Sequence, residues 1–332
     1  MLKLSKLLLS IGLFFIAICG FSLTGSAQAL LGEGMTVYIQ CGGNQGDGAT
    51  LARTNGARDA ARHFGVRLIE QYSSWQQDTM IKHMKEAMAA NPTGIAIMGH
   101  PGEGAFSRLV KEANGRGIIV TSGNTPLPGL QMKYGGNGFG YAGVILYDGG
   151  ALTAQNMITR GNLQSGDKVM VYGLLAQGSR GESTRGMIDT LKKAGMNVIY
   201  QEISAEVNAD SSLAAPIITA FVAKNPDLKA IGTQHGAITS VLPKILKRIG
   251  KKPGDIVIGG IDLSPPTIAG LKSKYISATL DQQLYLQGFL PVTQIVLSKK
   301  YGFAGLTINT GAGVVTPESI DELTPLIEAG IR

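Results

Sequence analysis

From Met35 onward, short apolar runs alternate with longer stretches in which apolar residues recur at helical spacing. This is the pattern of βαβ units feeding a parallel sheet. It predicts strands at Met35–Cys41, Val66–Gln71, Gly94–Gly99, Gly117–Ser122, Lys168–Tyr172, Asn197–Glu202, Ala230–Gln234, Ile256–Ile261 and Ile276–Leu280, with helices in the intervals. No low-complexity linker or charged tail interrupts the alternation.

The pattern also echoes itself. A helix holding Gly56 and ending near Gly65-Val66 resembles a later one holding Gly186 and ending near Gly195-Met196. Each precedes a strand, a helix ending in Asn-Pro (Asn91-Pro92, Asn225-Pro226) and a strand ending in histidine (His100, His235). Two copies of one doubly wound unit account for this, although any two βαβ units share a coarse likeness. In such sheets ligands bind beyond the carboxyl ends of the strands, so facing copies put His100 and His235 on opposite walls of one cleft.

The N-terminus breaks the pattern. Lys3 and Lys6 precede an uncharged apolar run from Leu7 to Cys19, followed by Ser26-Ala27-Gln28-Ala29. The run is shorter than the ~20 residues of a spanning helix and ends in an Ala-x-Ala pattern, so residues 1–29 read as a cleaved signal peptide and the mature protein as periplasmic. The remainder, about 300 residues, is enough for two domains. Only Cys41 survives cleavage, so no internal disulfide staples the fold, and Cys41 reads as a small buried residue ending a strand. The formal charge of +7 falls by two with the leader, and the Lys and Arg residues are scattered. With aromatics at 6%, a nucleic-acid surface is not expected.

Chemical motifs are mostly excluded. Gly138-Phe139-Gly140-Tyr141-Ala142-Gly143 matches G-x-G-x-x-G, but no strand precedes it and no acid ends the next strand. It reads as a helix start with small residues for close packing. The Gly42–Gly48 loop, GGNQGDG, lacks the Lys-Ser/Thr of a phosphate loop and suits backbone approach to a ligand at a helix N-terminus. The four histidines are far apart, and neither an HExxH nor a G-x-S-x-G segment occurs, so no metal, cofactor or catalytic residue is expected. Asp262 is the clear acid at a strand end, and Asp47 a weaker one. Asp262, before Leu263-Ser264-Pro265, fits a helix cap as well as a ligand contact.

Four stretches carry a family likeness: Arg58 to Gln71, Ile118-Ile119-Val120-Thr121-Ser122-Gly123-Asn124, Gly232-Thr233-Gln234-His235, and Val257-Ile258-Gly259-Gly260-Ile261-Asp262. In order and spacing the chain resembles the periplasmic sugar-binding proteins of ABC importers, the ribose-binding-protein-like cluster. The resemblance implies an α/β fold of two doubly wound parallel-sheet lobes joined by a three-crossover hinge, the type I periplasmic binding protein fold. It puts the crossovers near Tyr134–Asn137, Leu280–Gln283 and Asn309–Gly311. The N-terminal lobe is then residues 30–136 plus 283–309, and the C-terminal lobe 137–282 plus 310–332. It further implies a bidentate acid on ligand hydroxyls at Asp262, an amide at Gln282, and contacts at His235, Asp47 and either Arg180 or Arg185.

Two departures bear on the ligand. Where ribose binders carry an Asp-Arg pair the chain has Gly123-Asn124, and where they carry two Phe it has Ala49 and Thr50. Thr50, Trp75, His100, Glu103 and Asn124 remain as candidates, Trp75 fitting either core or cleft. Loss of the ring platforms favours an acyclic polyol over ribose. The expected function is capture of a sugar or sugar alcohol by a monomer that delivers it to the permease subunits of an ABC importer. A chemotaxis receptor of the same fold shares every binding residue. An exported α/β hydrolase lacks a nucleophile–base pair, and a sugar-responsive repressor needs a DNA-binding helix pair where the leader stands.

Overall fold

The computed structural model describes residues 29–332, so all but the last residue of the expected leader lies outside it. The strands, in chain order, are β1 Thr36–Gly42, β2 Arg67–Tyr72, β3 Gly94–Met98, β4 Ile119–Gly123, β5 Tyr141–Gly143, β6 Lys168–Gly173, β7 Asn197–Glu202, β8 Leu228–Thr233, β9 Val257–Ile261, β10 Ile276–Asp281, β11 Thr307–Asn309 and β12 Gly313–Val315. They form two six-stranded sheets, β11-β5-β4-β3-β1-β2 and β12-β10-β9-β8-β6-β7. Every neighbouring pair is parallel except β10 with β12. The strand order is the same in both sheets, which is the duplication heard in the sequence echo. The fold is therefore α/β, two doubly wound lobes joined by three crossings.

Local chemistry explains where the elements stop. The Gly48–Phe64 helix carries Arg62 and His63 in its last turn and ends on Gly65 in the left-handed region, φ 73°. The Pro265–Lys272 helix starts with proline and is capped by Ser264, whose side chain accepts from the Thr267 N–H. Cys41 is fully buried, and burial pushes its thiol pKa up.

The chain crosses between lobes after β5, between Asp281 and Leu284, and between β11 and β12. The first crossing differs from the expected Tyr134–Asn137. Those residues finish the Pro128–Tyr134 helix and a short 3-10 turn within the first lobe. Gly138, at φ 90°, then turns the chain into β5, so residues 137–143 lie with the first lobe. The G-x-G-x-x-G stretch is thus a turn and a strand, not a helix start; the next helix begins at Leu146. Its small residues still serve close packing, because a Cβ on Gly140 would strike the Gln294 amide.

Each lobe has one tightly packed helix pair built on glycines. In the first, Gly56 and Gly288 let the Gly48–Phe64 and Leu284–Tyr301 helices touch through their backbones: a Cβ on either would overlap a carbonyl of the other helix, Tyr285 O or Arg53 O. In the second, Gly150 and Gly186 do the same for the Leu146–Gly161 and Glu182–Lys193 helices, against Ser183 O and Tyr147 O. The Gly56–Gly186 echo is therefore a packing device used once per lobe.

Candidate ligand-binding site

The carboxyl ends of both sheets face one cavity of about 560 Å³. Much of its polar lining comes in chain order from the turns after strands: Asn44 and Asp47 after β1, Trp75 after β2, His100 after β3, Asn124 after β4, Arg180 after β6, Gln234 and His235 after β8, Asp262 after β9 and Gln282 after β10; Arg53 joins from within a helix, and Asn208 and Asp210 from the segment after β7. Several of these residues hold left-handed backbone that favours glycine: Trp75 (φ 61°), Asn124 (φ 63°) and Asp262 (φ 68°), with Ser74 (φ 48°) and Gln283 (φ 49°) beside them. Such strain costs about 1–3 kcal/mol per residue and concentrates at binding sites, where it aims side chains.

Asp262 is buried, 8% exposed, with Oδ1 accepting from Gln282 Nε2 at 2.6 Å. Gly236, the first residue of the Gly236–Arg248 helix, leaves room for the Asp262 carboxylate, which a Cβ there would strike. Burial raises the Asp262 pKa from 3.8 to about 6, against the lowering effect of the Gln282 bond and the Arg53 charge. The helix-cap alternative belongs to Ser264 instead, leaving Asp262 free to face the cavity.

A polar network carries the first lobe to the hinge. His100 Nε2 meets Asn124 Oδ1 at 2.7 Å, and Asn124 Nδ2 donates to Gln287 Oε1 at 3.0 Å and more weakly to Gln282 Oε1 at 3.5 Å. Gln287 Oε1 also accepts from Arg53 Nη2 at 3.3 Å, and Arg53 Nη1 donates to Cys41 O at 2.9 Å. Trp75 lies half-buried in the cavity wall, stacked on His100 with centroids 5.6 Å apart, and the Arg53 and Arg180 guanidinium carbons stand 5.9 and 6.0 Å from its ring centre. The cleft alternative for Trp75 is the one realised.

In the second lobe, Arg180 Nη1 donates to Gln177 Oε1 at 2.9 Å and Asn208 Oδ1 at 3.1 Å. Gln234 braces that loop, donating to Arg180 O at 2.9 Å and accepting from the Thr184 N–H. His235 is buried, and neither ring nitrogen makes a hydrogen bond of good geometry, although the Asn208 main chain lies close enough to favour the protonated ring slightly. Burial, and then the Arg180 charge, lower its pKa to about 3; the same two causes put His100 well below the usual imidazole range. Both rings are neutral near pH 7.

Three expected positions fall outside the cavity. Thr50 is buried behind the first loop, where its Oγ1 accepts from the Gly43 N–H at 3.1 Å. The Glu103 carboxylate takes the Gly129 N–H and so caps a neighbouring helix. Arg185 is exposed and paired with Glu182, which leaves Arg180 as the cleft arginine. Asp47 lines the cavity, yet it is exposed and its Oδ2 accepts from the Asn44 N–H. Sequence reasoning missed Arg53, Asn208 and Gln234. Arg53 left a signal: it sits on the same helix face as the small residues Thr50, Ala57 and Ala60, which are buried, so a charge there has no solvent to reach.

Two matching α/β lobes closing a polar cavity at their facing strand ends define a cleft receptor. The sequence places it further: the periplasmic binding protein domain model matches residues 27–299, and the chain belongs to that family. It is 29% identical over 256 residues to the xylose/arabinose-binding protein XylF of Sulfolobus acidocaldarius, a match covering 73% of this chain and 61% of that relative. Among solved structures it is similar to a carbohydrate transporter from Acidothermus cellulolyticus 11B in complex with myo-inositol (TM-score 0.74, 20% identity, 90% of this chain and 99% of that one). It is also similar to an ABC transporter solute-binding protein from Burkholderia graminis C4D1M in complex with D-arabinose (TM-score 0.75, 23% identity, 86% and 96%). At these identities the structural likenesses establish the shared fold.

Proposed function

We propose that this protein is an extracytoplasmic solute receptor that closes its lobes on one small polyhydroxylated molecule of the sugar class and delivers it to the permease of an ABC importer. The observation that carries the reading is the cavity between the strand ends, where Asp262 and Gln282 form a buried carboxylate–amide pair facing the first lobe's Asn124. A carboxylate accepts two hydroxyl protons at once, and an amide donates and accepts, so the pair matches vicinal hydroxyls. The volume lies within the ~300–1,000 Å³ of small-molecule clefts. The xylose/arabinose-binding relative and the neighbours in complex with myo-inositol and D-arabinose support the same polyhydroxylated class. The half-buried Trp75 supplies a flat apolar face, so the preference for acyclic polyols, which rested on missing platforms, gives way to ring sugars on equal terms.

A thermal-shift panel of sugars, sugar alcohols and sugar acids tests this reading. A receptor feeding a transporter binds near micromolar, about −8 kcal/mol. At ~1,000 times the dissociation constant, linkage adds ~4 kcal/mol to the folded state, and at roughly 2–4 °C per kcal/mol the midpoint rises by about 8–16 °C for one narrow group of compounds. A flat panel together with turnover of chromogenic esters or glycosides would make the protein a hydrolase instead.

A further inference from the structure

The charge inside the cleft does not balance. Arg53 is 1% exposed and Arg180 half-buried, and both line the cavity against Trp75. Neither forms an ion pair among the described residues. Their partners are neutral oxygens of Cys41, Gln287, Gln177 and Asn208, and the Arg53 Nε has no partner. One buried carboxylate, Asp262, faces these two cations without reaching either. The other acids of the lining, Asp47 and Asp210, are exposed and turned to their own backbones, at the Asn44 and Ser212 N–H groups. His100 and His235 are buried and add no negative charge.

Arg53 Nε is a buried donor without a partner, and the neutral His235 ring adds one more; its other nitrogen, and His100 Nδ1 opposite the Nε2 that meets Asn124 Oδ1, are acceptors left for ligand hydroxyls. A buried cation is tolerated when something neutralises it. Among the buried groups of the wall one carboxylate, Asp262, stands for two guanidinium groups, and the exposed Asp47 and Asp210 pair with neither, which leaves room for a negative charge on the ligand.

Resting on the reading of the cleft as a sugar site, we propose that the ligand is a monoanionic sugar acid, a uronate or aldonate. Its carboxylate lies toward Arg53 and Arg180, and its hydroxyls engage Asp262, Gln282 and His235. A planar guanidinium matches a carboxylate in bidentate fashion, which a hydroxyl cannot reproduce. The surplus is a single charge, so a doubly charged phosphate monoester overshoots it.

Calorimetry on the mature protein with matched compounds tests the proposal: D-glucuronate and D-gluconate against D-glucose and D-glucitol, D-galacturonate against D-galactose, and D-glucose 6-phosphate. At least one acid is expected to bind about 10- to 100-fold tighter than its neutral counterpart, the difference between charge-assisted and neutral hydrogen bonds. Arg180→Gln is expected to remove at least about tenfold of that advantage, read as the ratio of acid to neutral affinity within the same variant. Arg53→Gln is expected to do the same; where this buried variant fails to fold by circular dichroism, Arg180→Gln supplies the answer. Neutral sugars binding as tightly as their acids would overturn the proposal and leave the sugar reading standing. A tighter phosphate ester, or an acid preference untouched by Arg180→Gln, would overturn it too. If no member of either series binds while another neutral sugar moves the thermal-shift midpoint, the proposal falls and the sugar reading stands; if the wider panel is flat as well, both fall.

Discussion

Asp262→Ala is expected to weaken binding of the best sugar-class ligand by about 10- to 150-fold, with the fold intact. The variant removes a buried, charged acceptor, and hydrogen bonds to charged groups contribute about 1.5–3 kcal/mol. It also strands Gln282 Nε2, whose 2.6 Å bond ends on the lost carboxylate. The same residue sets a pH dependence. Its pKa in the empty protein is about 6, above the ordinary 3.8, so the folded state holds the proton more tightly than the unfolded one. The empty protein therefore loses stability as pH rises between those values. Ligand hydroxyls donate to the ionised form, so binding shows the opposite trend: affinity is full above about pH 6 and declines as pH falls below it. His235, with a pKa of about 3, and His100, also shifted far down, contribute no titration in that window. Calorimetry from pH 4.5 to 7.5 checks the slope, and Asp262→Asn should flatten it. Unchanged affinity in Asp262→Ala would remove the carboxylate from the site.

Gly288→Val is expected to destabilise the protein by about 3 kcal/mol or more, lowering Tm by roughly 6–12 °C. A Cβ at Gly288 overlaps the Arg53 carbonyl carbon and oxygen and crowds the Ala57 nitrogen. These are backbone atoms of the facing helix, so relief comes only by separating the Gly48–Phe64 and Leu284–Tyr301 helices. That separation also moves Arg53, which reaches from its helix to Gln287, the neighbour of Gly288. Ligand affinity should fall with stability. Gly104, in the first turn of the Gly102–Gly115 helix with open space around it, gives the contrast: Gly104→Ala should leave Tm unchanged or raised slightly through better helix propensity. A Gly288→Val melt within a degree or two of the parent would show that the helix pair can part without cost.

The nine longer strands were legible because each carries an apolar run that interrupts helical periodicity, buried in the central strands and half-buried in the edge strands β2 and β7. The three that escaped, β5, β11 and β12, are three residues each and lie at or near sheet edges, too short to show alternation. The unseen β5 is why the first crossing was expected too early; the other two, expected near Leu280–Gln283 and Asn309–Gly311, fall where the chain passes from β10 to the next helix and from β11 to β12. Within the site, residues that directly follow strands were readable from position: His100, Asn124, His235, Asp262 and Gln282 all line the cavity. Arg53 was not, since a helical arginine usually points to water and this one is held inward by Cys41 O. Thr50 misled for the opposite reason. It sits one helical turn from Arg53 but spends its hydroxyl on the Gly43 N–H, behind the loop it was expected to front.

The central claim is that ligand enters the cavity between the lobes, and Trp75 reports on it directly. It is the only tryptophan in the chain, and its ring lies in the cavity wall beside His100, Arg53 and Arg180. Titrating the strongest thermal-shift compound while following intrinsic fluorescence should give a saturable change in emission. Its midpoint should equal the calorimetric dissociation constant and move to higher concentration in Asp262→Ala. One-to-one binding by calorimetry that leaves the Trp75 emission unchanged from start to saturation would place the ligand elsewhere on the protein and contradict the account.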